Sequence, residues 1–305
     1  MASVVIAKNL MKKYKDIVAV NGIDFEVGQN ECFGVIGPNG AGKTTTMKML
    51  YCFSPRSGGE LSLLGLDPAV SPEKIKFNLG VIPQENNLDS DLNVLANLTS
   101  YARYFSIPKS QAMARAKELL EFVQLTEKKS VNVDEISSGM KRRLLIARGL
   151  INNPKLIILD EPTVGLDPQA RHLIWDKLRE LKKQNVTFII TTHYMDEATE
   201  LCDRVAVMDK GKILVTGRPQ DLILEYIGEE VLEVVITGLE QSKIKQDVEK
   251  FSVTIEETNH KIYLYCKDCR PLLNELNSKG YKHILRRPAT LEDVFLKLTG
   301  RDLID

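Results

Sequence analysis

Apolar residues in this chain fall mostly into short runs, each closed by glycine, proline or a charged cluster. Val4–Lys8 and Asn21–Val27 alternate apolar with polar positions, the period of half-buried strands. Glu31–Ile36, Leu156–Leu159 and Val186–Ile190 are nearly continuous apolar runs, which predicts strands buried on both faces of a parallel sheet. Glu60–Leu64, the segment from Leu79, Arg204–Met208 and Lys212–Val215 read as further short strands. The last two flank a Lys210-Gly211 turn. The pattern becomes helical over Lys43–Leu50, Gln169–Lys183 and Pro219–Tyr226. It is helical again from Asp91 to Gln124, where Leu92, Leu95 and Leu98 line one face and Ala116, Leu119 and Val123 another. Pro108 divides that stretch into two helices, and a further helix runs from the Ser137-Ser138 region to about Ile151.

The resulting order, strand then helix repeated, predicts an α/β domain over residues 1–228 with a helical subdomain at about 88–152. Beyond Gly228 the pattern changes. Val231–Ile236 and Lys261–Cys266 alternate as strands, and Pro271–Ser278 and Leu291–Leu298 are amphipathic helices. A small α+β domain over 229–305 follows.

Composition narrows the partners. Lys+Arg and Asp+Glu are both 41 among 305 residues, so no basic surface marks a nucleic-acid binder. No apolar run reaches the roughly 20 residues that cross a bilayer, and the N-terminal residues lack the basic and apolar regions of a signal peptide. Five scattered cysteines point to a reducing compartment. Cys266 and Cys269 form a two-residue-spaced pair, but no second pair or histidine doublet accompanies them as a metal site requires.

The richest chemistry lies in Gly37-Pro38-Asn39-Gly40-Ala41-Gly42-Lys43-Thr44-Thr45. The glycines allow positive φ and close backbone approach, so successive N–H groups can cradle phosphate oxygens. Lys43 can place a charge on the β- and γ-phosphates, and the Thr44 hydroxyl can ligate Mg²⁺. A buried strand precedes the loop and a helix N-terminus follows it, the setting that favours a bound anion.

Other candidates sit at predicted strand ends, where open α/β sheets bind ligands. Asp160 and Glu161 close the Leu156–Leu159 run; the first can hold a metal shell and the second can accept a proton from water. Gln84 follows the strand begun at Leu79, within reach of a metal or a water. His193 ends the Val186–Ile190 strand region. Ser137, Ser138 and Gly139 open a helix whose free N–H groups can also hold an anion. Tyr14 follows the first strand and can stack on a base.

In order and approximate spacing these residues resemble an ATP-binding subunit of the ABC transporters, over residues 3 to about 226. The C-terminal segment Leu291–Gly300 and the stretches Gln169–Trp175 and Tyr226–Val234 are similar to exporters of the ABC-2 type, the nodulation-factor and drug-resistance exporter ATPases among them. The resemblance implies ATP and Mg²⁺ as ligands. It implies that Tyr14 stacks on adenine, Gly37 to Thr45 bind the phosphates, Gln84 couples nucleotide to a membrane partner, and Thr44, Gln84 and Asp160 serve the metal. Ile136–Met140 becomes the signature motif, Glu161 the catalytic base, Asp167 part of the D-loop and His193 the switch histidine. Lys43, Glu161 and His193 are then the catalytic set. It further implies a homodimer that sandwiches two ATP molecules, a separate ABC-2 permease, no nucleic-acid partner, and a peripheral place on the cytoplasmic face of the inner membrane. The signature departs from the family pattern: Ser138 stands where a glycine is usual and Met140 where a glutamine is usual. Export powered by ATP hydrolysis is the expected function. The alternative is a soluble ABC ATPase switch in translation or DNA repair, which the neutral charge and single ATPase module disfavour.

Overall fold

The computed structural model describes residues 3–235, 240–251, 253–257, 261–266 and 268–300; for 240–242 it describes the backbone only. Two compact units divide between Val215 and Thr216.

In the first unit, β1 (Ser3–Tyr14), β2 (Ile17–Gly28) and β3 (Cys32–Ile36) lead into α1 (Lys43–Leu50). Then come β4 (Gly58–Leu63), α2 (Pro72–Phe77), β5 (Leu79–Ile82), α3 (Val94–Ala102), α4 (Lys109–Phe122) and α5 (Ser138–Gly149). The unit continues with β6 (Leu156–Asp160), α6 (Pro168–Lys183), β7 (Thr187–Thr192), α7 (Met195–Leu201), β8 (Arg204–Asp209) and β9 (Lys212–Gly217), whose last residues pass the division. A six-stranded sheet has the order β5-β6-β7-β3-β8-β9, and its first five strands pair in parallel. Strands β3, β6 and β7 are buried at every position, as their unbroken apolar runs predict. A three-stranded antiparallel sheet, β2-β1-β4, packs its apolar side on α1 in a core that includes Leu10, Phe33, Met47, Leu50, Leu63 and Ile75. Helices α3, α4 and α5 pack on one another as a helical layer, and α5 also packs on β5 of the sheet.

In the second unit, α8 (Pro219–Tyr226) precedes β10 (Glu230–Val235), α9 (Glu240–Val248), β11 (Thr254–Glu257), β12 (Lys261–Tyr265), α10 (Cys269–Ser278), β13 (Ile284–Pro288) and α11 (Leu291–Thr299). The order β11-β12-β10-β13, antiparallel throughout, together with the β-α-β-β-α-β sequence, is the split βαβ arrangement. Leu232, Val234, Ile262 and Leu264 on one sheet face bury against Ile244, Val248, Leu272 and Leu276 of the helices. Helix α8 falls in this unit because it packs on α11, and Lys297 Nζ donates to the Tyr226 carbonyl at 2.6 Å.

The periodicity did not register α2, α7, α9, β11 or β13. The first two have only six and seven residues, too few turns for a helical period to emerge. β1 and β2 are longer than their alternating cores because both run into a shared hairpin at Lys15-Asp16.

Candidate active site

The phosphate-loop residues lie between the end of β3 and the start of α1. Gly37 has φ 151°, and a Cβ there would stand 2.0 Å from the Met208 carbonyl oxygen. Gly42 has φ 107°, with the Ala19 carbonyl oxygen 2.6 Å from where a Cβ would lie. Only glycine satisfies both the backbone twist and the space at these two positions. Asn39 and Gly40 form the exposed tip, and Ala41 N–H donates back to the Pro38 carbonyl at 3.2 Å. Thr45, half-buried, lies in the first turn of α1.

Lys43 is 4% exposed, and its Nζ donates to the carbonyls of Gly37 at 2.8 Å and Pro38 at 3.1 Å. The same Nζ lies 3.3 Å from Glu161 Oε1. Burial pushes the Lys43 amine below the ordinary lysine value, against the opposing pull of Glu161. A polyphosphate in the loop would add negative charge beside this buried cation, which Glu161 only partly compensates.

Parallel pairing of β6 with β7 sets Asp160 opposite Thr191. Thr191 Oγ1 donates to Asp160 Oδ1 at 2.5 Å and accepts from the Glu161 N–H at 3.0 Å. Thr44 Oγ1 donates to the same Asp160 oxygen at 3.2 Å. Burial drives the Asp160 carboxyl above its usual range, and the two hydroxyls offset part of this. A buried carboxylate beside a threonine hydroxyl is a hard-oxygen donor set that suits Mg²⁺. Glu161 follows with φ 46°, a left-handed conformation uncommon for a residue with a side chain. Its Oε2 lies 3.1 Å from His193 Nδ1. A carboxylate can only accept, so Nδ1 donates when Glu161 is ionised.

The structure thus brings Lys43, Thr44, Asp160, Glu161 and His193 to one edge of the parallel sheet. Gln84 lies two residues past β5, the strand beside β6, and its side chain is exposed. Tyr14 closes β1; one ring face carries Lys12 Nζ at 4.7 Å, and its hydroxyl lies 3.2 Å from Ser54 Oγ. Ser137 is the N-cap of α5, its Oγ accepting from Met140 N–H at 3.3 Å, while Ser138 is the first helical residue and exposed. Gly139 faces the start of α6, where a Cβ would stand 3.3 Å from Ala170 Cβ. Asp167 is the N-cap of α6 and accepts from Ala170 N–H at 2.9 Å. Sequence reasoning missed Thr191, the hydroxyl that ties the two carboxylate residues together. Its signal was the threonine pair at the strand end just before His193.

Residues 20–164 match the family model described as ABC transporter, and residues 241–300 match that described as the C-terminal domain of nodulation factor export protein NodI. Nod factor export ATP-binding protein I of Cupriavidus metallidurans is 42% identical over 305 residues, with full coverage of both chains. Among solved structures, an ATP-binding subunit of an ABC transporter aligns with TM-score 0.67 and 27% identity over 73% of this chain and 93% of its own. An ATP-binding cassette solved as a dimer in a post-hydrolysis state with ADP and Pi aligns with TM-score 0.65 and 25% identity over 70% and 98%. The fold and site define a P-loop ATPase of the ABC class. The chain belongs to the ABC transporter family, in its group of exporter ATP-binding subunits. No relative named here is a translation or repair factor, which leaves the soluble-switch alternative without support.

Proposed function

We propose that this chain hydrolyses Mg-ATP as a pair of copies and passes the work to a separate membrane permease of the ABC-2 type. One observation carries the reading: the Glu161 carboxylate is shared between Lys43 and His193 beside an Asp160 held by Thr44 and Thr191. Lys43 and the loop N–H groups hold the β- and γ-phosphates. Thr44, Asp160 and Gln84 would hold Mg²⁺, which would offset charge on the phosphates. Glu161 orients the attacking water and takes its proton. His193 fixes the Glu161 carboxylate and faces the transferring phosphoryl group. Tyr14 offers its free ring face to adenine.

Ser137, Ser138, Gly139 and Asp167 serve the ATP held by the second copy, with the N-terminus of α5 directed at its γ-phosphate. The dimeric relative with ADP and Pi supports this pairing. For the permease, the first unit carries a groove of about 1410 Å³ lined by Phe77, Tyr101, Tyr104, Phe105 and Arg148 next to the loop after Gln84. Phe77 and Tyr104 are 52% and 81% exposed there, an apolar surface of the kind that marks a protein partner. Among the described residues no helix is long and apolar enough to cross a membrane. As an exporter ATP-binding subunit of the kind its relatives are named for, the chain acts peripherally on the cytoplasmic face of the inner membrane. Phosphate release from Mg-ATP, measured with the purified chain and again with its co-expressed permease, tests the reading. Turnover that the permease stimulates supports it, and no turnover in either preparation refutes it.

A further inference from the structure

Arg142 lies on α5, four residues after Ser138, and is 6% exposed. Its guanidinium spends its hydrogen bonds on main-chain carbonyls from two strand ends. Nη1 donates to Pro83 at 2.5 Å and to Gln84 at 3.4 Å. Nη2 donates to Asp160 and to Glu161, both at 3.0 Å, and Nε donates to Pro162 at 2.6 Å. The neighbouring Arg143 differs, since it donates to the Val123 and Gln124 carbonyls just past α4. Burial lowers the Arg142 guanidinium to about 10.

We infer that Arg142 is a positioning residue that fixes the Glu161 backbone and ties it to both the Gln84 loop and the helix opened by Ser137. The carbonyls of residues 160–162 belong to and flank the left-handed turn at Glu161, and Arg142 holds all three. Such a turn persists only where its surroundings over-determine it. A planar fork with five donors can do this; a lysine head is a single point with three. Displacement of the Gln84 loop by a permease, or of α5 by the second copy's nucleotide, then reaches Glu161 through one side chain. The inference rests on the proposed role of Glu161 in turnover.

The test compares steady-state ATP turnover, KM for ATP, affinity for a fluorescent ATP analogue and thermal melting in the full chain, Arg142→Lys and Arg142→Ala. Turnover should fall roughly hundredfold in both variants, the scale of a misplaced catalytic group. Analogue affinity and KM should stay at wild-type values. Wild-type turnover in the variants overturns the inference, as does loss of affinity in step with turnover, which marks a general structural role. If Arg142→Ala does not fold, Arg142→Lys decides alone, because it keeps a buried cation and the long stem. Glu161→Gln is run in parallel. Normal turnover there removes the catalytic reading and the Arg142 inference with it; a silent Glu161→Gln beside fully active Arg142 variants overturns the Arg142 inference only.

Discussion

His193 Nδ1 and Glu161 Oε2 lie 3.1 Å apart, although 32 residues separate them along the chain. The pairing of β6 with β7 makes this contact, because it sets the two strand ends level. The other Glu161 oxygen faces Lys43 at 3.3 Å. One carboxylate therefore contacts both the phosphate-loop lysine and His193, and the two contacts fix its orientation.

Lys43 is the cation that the loop encloses. Lys43→Ala should abolish most ATP affinity and turnover while the fold persists, since the lost contacts, to two loop carbonyls and the Glu161 carboxylate, all lie within the site. Fluorescent-nucleotide binding and circular dichroism check this. Wild-type ATPase activity in the folded variant would contradict it.

Asp160 predicts a conflict between stability and function. Its folded-state pKa is raised from 3.8 by burial, so the native state holds this proton to higher pH than the unfolded chain. Its contribution to stability is complete below 3.8 and is lost as pH rises through the raised value. Asp160→Asn cannot ionise and keeps an oxygen for Thr44 and Thr191. Without Mg²⁺ the variant should melt at higher temperature than wild type at neutral pH, and the gap should close as pH falls toward 3.8. Turnover should be lost. Equal melting temperatures at neutral pH would show that burial of this carboxylate is not destabilising.

Ser138 departs from the usual glycine, and its exposed side chain stands at the first turn of α5. Its Cβ should crowd the second copy's nucleotide. Ser138→Gly should leave turnover unchanged or raise it. A large loss would show instead that the hydroxyl is a required ligand.

Much of this site was legible in the chain before any coordinates. Strand, loop and helix around Lys43 follow local rules of glycine conformation and apolar runs, so α1 spans Lys43–Leu50 as read. Asp160 and Glu161 are legible as candidates because an apolar run ends at them, and His193 because it follows the threonine pair that closes Val186–Ile190. The role of Thr191 was not legible, since it depends on the register between β6 and β7, which no local pattern encodes. Arg142 was hidden for a similar reason: a basic residue on a helix reads as solvated until a fold buries it against carbonyls from two strands. Asp167 read as part of a motif, and the structure adds its work as an N-cap, worth about 1 kcal/mol to such a helix.

Tyr104 tests the partner surface apart from the chemistry. It is 81% exposed in the groove and belongs to neither the phosphate loop nor the carboxylate cluster. Tyr104→Asp should weaken co-purification with the permease and leave basal turnover of the isolated chain unchanged. Undiminished co-purification would move the docking surface elsewhere.

The central claim is that Glu161 activates water in a site completed by a second copy. Glu161→Gln keeps the shape of the side chain but removes the negative charge and the proton acceptor. ATP and Mg²⁺ binding should persist, and turnover should fall by roughly 10²–10⁴-fold, the range of a lost general base. With ATP bound and not consumed, the paired state should accumulate. Light scattering on a sizing column with Mg-ATP is therefore the most direct measurement. The account predicts a shift from monomer to dimer in Glu161→Gln that exceeds any in wild type. A variant that hydrolyses ATP at the wild-type rate and stays monomeric would contradict it.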